Sequence, residues 1–145
     1  MSKTIASRPC ESCPYRRDCH SGVWDASEYE KLPDYDLPTA EQLMAGAIGV
    51  FHCHKQNGCV CRGWIDTHGN QGEGRDLISL RMASSIDMSE IAKAIKEGPQ
   101  VPVFESGAEA CAHGLRDIDN PSKAAVAVGE MVTKIHERKA EKSGK

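Results

Sequence analysis

The sequence predicts an α-rich α+β fold in a single domain. It divides into a loop-rich, metal-bearing N-terminal half and a helical C-terminal half with a few short strands. Three observations lead there. Six of the seven cysteines fall in two short runs, Cys10 to Cys19 and Cys53 to Cys61, both before the midpoint of the 145 residues. Apolar spacing in the same half is irregular and broken by proline and glycine. The second half instead repeats apolar residues at three and four positions behind helix-capping residues.

Taken in order, residues 1–9 are expected to be disordered, residues 10–139 to form one metal-binding domain, and residues 140–145 to be a basic tail. Cys10 to His20 reads as a ligand-bearing loop, with Pro14 fixing the backbone after Cys13. Ser27 can cap one helical turn that Pro33 ends. Thr39 and Gln42 have capping-box spacing, which predicts a helix from Ala40 to about Ala47. Val50 to Cys53 reads as a short strand, and Asn57-Gly58 as the turn that brings Cys59 and Cys61 back toward Cys53. Residues 67–75 read as a flexible polar loop.

Leu77 to Met82 belongs to a helix or strand on the core. Asp87 and Glu90 open a helix whose apolar stripe is Met88, Ile91, Ala92 and Ile95, ending before Gly98. Val101 to Phe104 reads as an edge strand. Ser106 and Glu109 open a further helix that Gly114 ends, and Asn120-Pro121 starts a last one running to about Lys139.

The net charge of −3 gives no overall attraction to nucleic acid. The N-terminus has no apolar run of the signal-peptide kind, and no stretch approaches the roughly 20 apolar residues of a membrane span. A cytoplasmic location with no membrane contact is therefore expected. There thiols stay reduced, and clustered cysteines read as ligands or redox groups.

A soft-metal site needs four donors brought together without strain. A C-x2-C pair chelates from one turn, and a distant pair completes the shell. The expected ligands are Cys10, Cys13, Cys53 and Cys61, with His54, Cys19 and Cys59 in reserve. C-x2-C followed by proline and C-x2-C-x5-C favour an iron–sulfur cluster slightly, whereas His54 beside Cys53 suits zinc. His20, His52, His68, His113 and His136 read as surface or helix-end residues, and Cys111 as a buried structural thiol. Arg16, Arg17, Lys55 and Arg62 flank the ligands and would form a local basic patch for protein or nucleic acid, or else neutralise thiolate charge.

Four separated runs, PCESCPYRRD, FHCHK, CRGW and LRMA, resemble a family of small uncharacterised proteins of actinobacteria and their phages, known by a domain-of-unknown-function label. Its pattern is Cys-x2-Cys-Pro-aromatic-Arg, then Phe-x-Cys-His, then Cys-x-Gly-aromatic. The resemblance spans about residues 8–83 and selects Cys10, Cys13, Cys53, His54 and Cys61, with Arg16, Gly63, Trp64 and Arg81 as companions. Cys19 and Cys59 are additions to the pattern. The Cys10 to Trp24 stretch is also similar to WhiB-like iron–sulfur proteins, with a shorter spacing before Gly22-Val23-Trp24.

The function expected from these residues is a small Cys-ligated metal-binding protein, a binding or regulatory module. Two alternatives stand beside it: a redox or metal-dependent enzyme, and a thiol-based redox sensor using Cys19 and Cys59. No Walker loop, dinucleotide fingerprint, H-E-x-x-H or G-x-S-x-G run occurs, so an enzyme here would not use those mechanisms.

Overall fold

A computed structural model describes residues 4–51, 59–69, 71, 74, 76–82 and 86–132. The α-rich α+β architecture is as expected. Strand β1 (Thr4–Ile5) pairs in parallel with β2 (Cys59–Val60). Between them come α1 (Ala26–Glu30), a 3-10 helix (Leu32–Asp36) and α2 (Thr39–Met44). After β2 follow α3 (Arg62–His68), α4 (Ile78–Met82), α5 (Met88–Glu97) and α6 (Gly107–Arg116), and residues 123–132 are helical. Among the described residues, no helix is long and apolar enough to cross a membrane.

The core gathers aromatic side chains from the loop-rich half onto the helices. Tyr15, Trp24, Tyr29, Tyr35, Phe51 and Trp64 are buried together with Leu32, Ile65, Leu77, Ile91 and Phe104. Helix α6 lies on α1 and the 3-10 helix, α3 on α5, and α2 on α4. At the α1–α6 crossing, Gly114 is required sterically: a Cβ there would stand 2.1 Å from the Tyr29 ring.

Several local expectations hold. Asp87 accepts from Ser89 N and caps α5, and Ser106 accepts from Glu109 N and caps α6. Others are corrected by tertiary contacts. The segment before Cys10, expected to be disordered, is structured from Thr4 onward, because Ala6 N continues the pairing to Val60 O and Pro9 is fully buried. Pro33 does not stop the chain; it sits in the first turn of the 3-10 helix, where no N–H is needed. Thr39 does not cap α2, since its hydroxyl donates to the carbonyls of Gly74 and Asp76. Val50 and Phe51 form no strand, but Phe51 O accepts from Cys61 N at 2.8 Å. The Asn57-Gly58 turn lies outside the described residues.

In the expected edge strand only Val103 forms a bridge, antiparallel to Arg16. Helix α6 runs through Gly114 to Arg116. The last helix is capped by Ser122, whose Oγ accepts from Ala125 N, rather than by Asn120. The expected end of that helix near Lys139 lies outside the described residues.

Gly114→Ala should lower stability by about 1–3 kcal/mol, because the added methyl overlaps the buried Tyr29 ring. A urea titration with an unchanged midpoint would contradict that packing.

Candidate metal centre

The Cys10–Cys19 loop is wound by three successive turns, each closed by a backbone bond spanning three residues. Cys13 N donates to Cys10 O, Arg16 N to Cys13 O and Cys19 N to Arg16 O, at 2.9, 3.1 and 3.2 Å. The C-x2-C spacing is the spacing of the first turn. Trp24 Nε1 pins the loop by donating to Ser12 O at 2.7 Å, and Tyr15 O accepts from Phe104 N at 2.9 Å. Cys13 is thereby carried inward to zero exposure.

It meets Cys61, which precedes the first residue of α3. The two Sγ atoms stand 3.7 Å apart across 48 residues of chain, and both side chains are buried. Gly63 makes the approach possible, because a Cβ at that position would lie 2.5 Å from Cys13 Sγ and 3.0 Å from Tyr15 Cβ. Burial pushes the Cys13 thiol well above its ordinary pKa, and the neighbouring Cys61 and Cys10 groups push it further. The Tyr15 backbone N–H, which donates to it, acts the other way. A bare thiolate is disfavoured there; a thiolate on a cation is not.

The other expected ligands are placed differently. Cys10 is half-buried at the start of the same loop, with its Sγ 3.6 Å from Ser12 Oγ. Cys19 points its thiol to the His20 carbonyl, and burial raises its pKa to about 11. Cys59 lies in β2 and is half-buried. Cys53, His54 and Lys55 lie outside the described residues, as does the Arg81 side chain. Among the described residues, no three His, Cys, Asp or Glu side chains form a group that could hold a metal ion. The donor set present is the Cys13–Cys61 pair with Cys10 next to it on the loop.

The three described basic residues of the expected patch are each engaged within the protein. Arg16 makes a two-pronged pair with Asp18 at 2.7 and 2.8 Å, and donates to Pro9 O. Arg17 donates to Val103 O and lies over the Phe104 ring. Arg62 is only 4% exposed, bonded to Asp66 and to the carbonyls of Ala94 and Gly98. They brace the loop and α3 rather than offer a common surface.

Sequence reasoning missed the polar chain behind the thiols. His68, expected in a flexible loop and at a surface or helix end, does end a helix as the last residue of α3, but it is only 1% exposed. Its Nε2 is 2.9 Å from Tyr15 Oη, while its Nδ1 faces Gln71 Oε1 at 3.2 Å and Asp36 Oδ1 at 3.3 Å. Both groups facing Nδ1 are acceptors, so Nδ1 carries the proton and Tyr15 donates to Nε2. Asp36 accepts from Gly107 N and Ala108 N at 2.8 Å and so anchors the start of α6. The available signal was the tyrosine two residues after Cys13 and a histidine one helix length after Cys61. Neither identifies its partner.

The profile of the Family of unknown function (DUF6283) matches residues 5–137. The chain belongs to that family. No curated protein and no solved structure matches the chain. The DUF6283 match extends well beyond the cysteine runs, so it covers α5 and α6 together with the loop that they support.

Burial lowers the His68 pKa from 6.5 to about 4, and the contacts with Gln71 and Asp36 only partly offset this. The folded state thus binds the proton less readily than the unfolded chain. The neutral ring's contribution is complete above about pH 6.5 and is lost as pH falls toward 4, on the order of 3 kcal/mol in all. His68→Gln should flatten that part of a stability-against-pH curve. An unchanged slope in the variant would show that another group is responsible.

Proposed function

We propose that this protein is a small metal-binding module in which Cys10, Cys13, Cys53 and Cys61 hold one tetrahedral zinc ion. The observation that carries the reading is the separation of the Cys13 and Cys61 sulfurs, 3.7 Å. Two thiolates on one zinc, with bonds of about 2.3 Å at the tetrahedral angle, lie about 3.8 Å apart. In a [4Fe–4S] cubane each thiolate sits on its own iron, so the pair would have to open. Two thiolates sharing one iron of a [2Fe–2S] cluster would keep the same spacing, and that is the second reading.

The burial of both sulfurs supports a closed, structural role, since a catalytic zinc keeps an open position. Cys10 and Cys53 complete the set by the Cys-x2-Cys and Phe-x-Cys-His resemblance, with His54 the first substitute. The bound ion would neutralise the desolvated Cys13 thiolate and tie the N-terminal loop to α3. Its effect is to fix the aromatic core and the surfaces built on it. On this reading the chain recognises a partner through ordered loops, and Arg16, Arg17 and Arg62 serve the frame.

Anaerobic purification followed by metal analysis and a visible spectrum decides between the ions. A colourless protein with one zinc per chain is expected. Bound iron with sulfide and broad absorption near ~400 nm would replace zinc by the second reading. Cys13→Ser and Cys61→Ser should each lose the metal and unfold at lower temperature, while Cys19→Ser keeps it. Gly63→Ala should weaken metal retention against a chelator, because its methyl occupies the space of Cys13 Sγ. Full metal occupancy in either serine variant would remove that cysteine from the set.

A further inference from the structure

Residues of β1, α3 and α5 line an open cavity of about 350 Å³. This is at the small end of the range for ligand sites, roughly 300–1,000 Å³. Its floor includes Arg62, and its rim carries Glu90, Lys93 and Glu97 at successive turns of α5. Ile5, Ala6 and Ala94 supply an apolar wall.

The guanidinium of Arg62 is not fully used. Nε donates to Asp66 at 2.9 Å, and Nη2 donates to the carbonyls of Gly98 and Ala94 at 2.9 and 3.2 Å. Among the described residues Nη1 has only Glu97 Oε2 near it, an ion pair at 3.7 Å that is longer than a hydrogen bond. A charged side chain that is only 4% exposed therefore lines the cavity with one nitrogen of its donor fork held by a loose ion pair alone. Among the described residues Lys93 and Glu90 make no ion pair, and Glu97 has only this loose one.

We propose that this cavity binds a compact zwitterion of the α-amino acid class. The ligand carboxylate accepts from Arg62 Nη1 with Lys93 beside it, the ammonium lies between Glu97 and Glu90, and the side chain rests on Ile5 and Ala94. Charge balance selects this class. A phosphate dianion would face both glutamates, and a metal cation would face both Arg62 and Lys93. A neutral apolar ligand would leave the Arg62 edge desolvated and unpaired. The proposal does not depend on which metal is bound, although Arg62 directly follows Cys61 and opens α3.

The test uses the full-length, metal-replete protein and saturation-transfer NMR with the common L-α-amino acids, each at millimolar concentration. The matching primary amines, the matching carboxylates and inorganic phosphate are run alongside. At least one amino acid should bind, and its amine and carboxylate analogues should not. Glu97→Gln should weaken binding about tenfold, the effect of losing one charge-assisted contact. Ser7→Trp plugs the mouth from an exposed position and should abolish binding with metal content unchanged. Lys93→Glu, on the exposed rim, should abolish it too and needs no change in the core. Absence of binding by every amino acid overturns the proposal. So does equal binding of phosphate, amine or carboxylate alone, and so does binding that persists in both Ser7→Trp and Lys93→Glu.

Discussion

The approach of Cys13 to Cys61 is the constraint on which the rest of this structure depends. Two polarisable sulfurs share a space that only the missing side chain of Gly63 leaves open. Because the C-x2-C turn delivers Cys13 from one side and α3 begins just after Cys61, the contact fixes a loop against the end of a helix. Tyr15 is then carried over Gly63 into the core, where its ring meets Phe51 edge-on and its hydroxyl meets His68. A displaced loop would therefore disturb an aromatic cluster as well as a pair of thiols.

Polar groups buried by that arrangement are arranged in chains with few loose ends. Tyr15, His68 and Asp36 connect the cysteine loop, α3 and the start of α6 through donors and acceptors that leave one consistent tautomer. Arg62, held by Asp66, connects α3 to α5 in the same manner, though the other Asp66 oxygen is buried without a hydrogen-bond partner among the described residues. Such networks add modest net stability when complete and cost far more when one member is removed. They favour a single arrangement of the helices around the thiols, in a chain of which only 39% of the residues are hydrophobic.

This explains why arginines beside cysteines serve here as braces. Each of the three described ones has acceptors within the fold, so their charge holds loop and helix geometry. Arg62 Nη1 has only a loose ion pair with Glu97, as Arg17 Nη2 has with Glu109, and of the two it is Arg62 that lines the cavity. The thiol pair and the cavity thus lie close to consecutive residues, Cys61 and Arg62, at the first turn of α3.

The sequence by itself determined the features that local chemistry controls. The C-x2-C turn, the caps at Asp87 and Ser106, the helical second half and the pairing of a distant cysteine with the first run could all be read from residue type and spacing. The turn, the caps and the helices are short-range preferences of backbone and side chain that tertiary contacts did not override, whereas the cysteine pairing spans 48 residues and rests on residue type alone. Helix α3 was not legible, because Cys61 is a poor capping residue and RGWIDTH has no amphipathic stripe. The burial of His68 and the use of Asp36 and Arg62 were equally hidden. A polar side chain is stable inside only when partners from elsewhere satisfy it, and Tyr15 lies 53 residues from His68. Which cysteine meets Cys13 was also left to the tertiary structure, since spacing offers several donors and only the close approach over Gly63 selects Cys61.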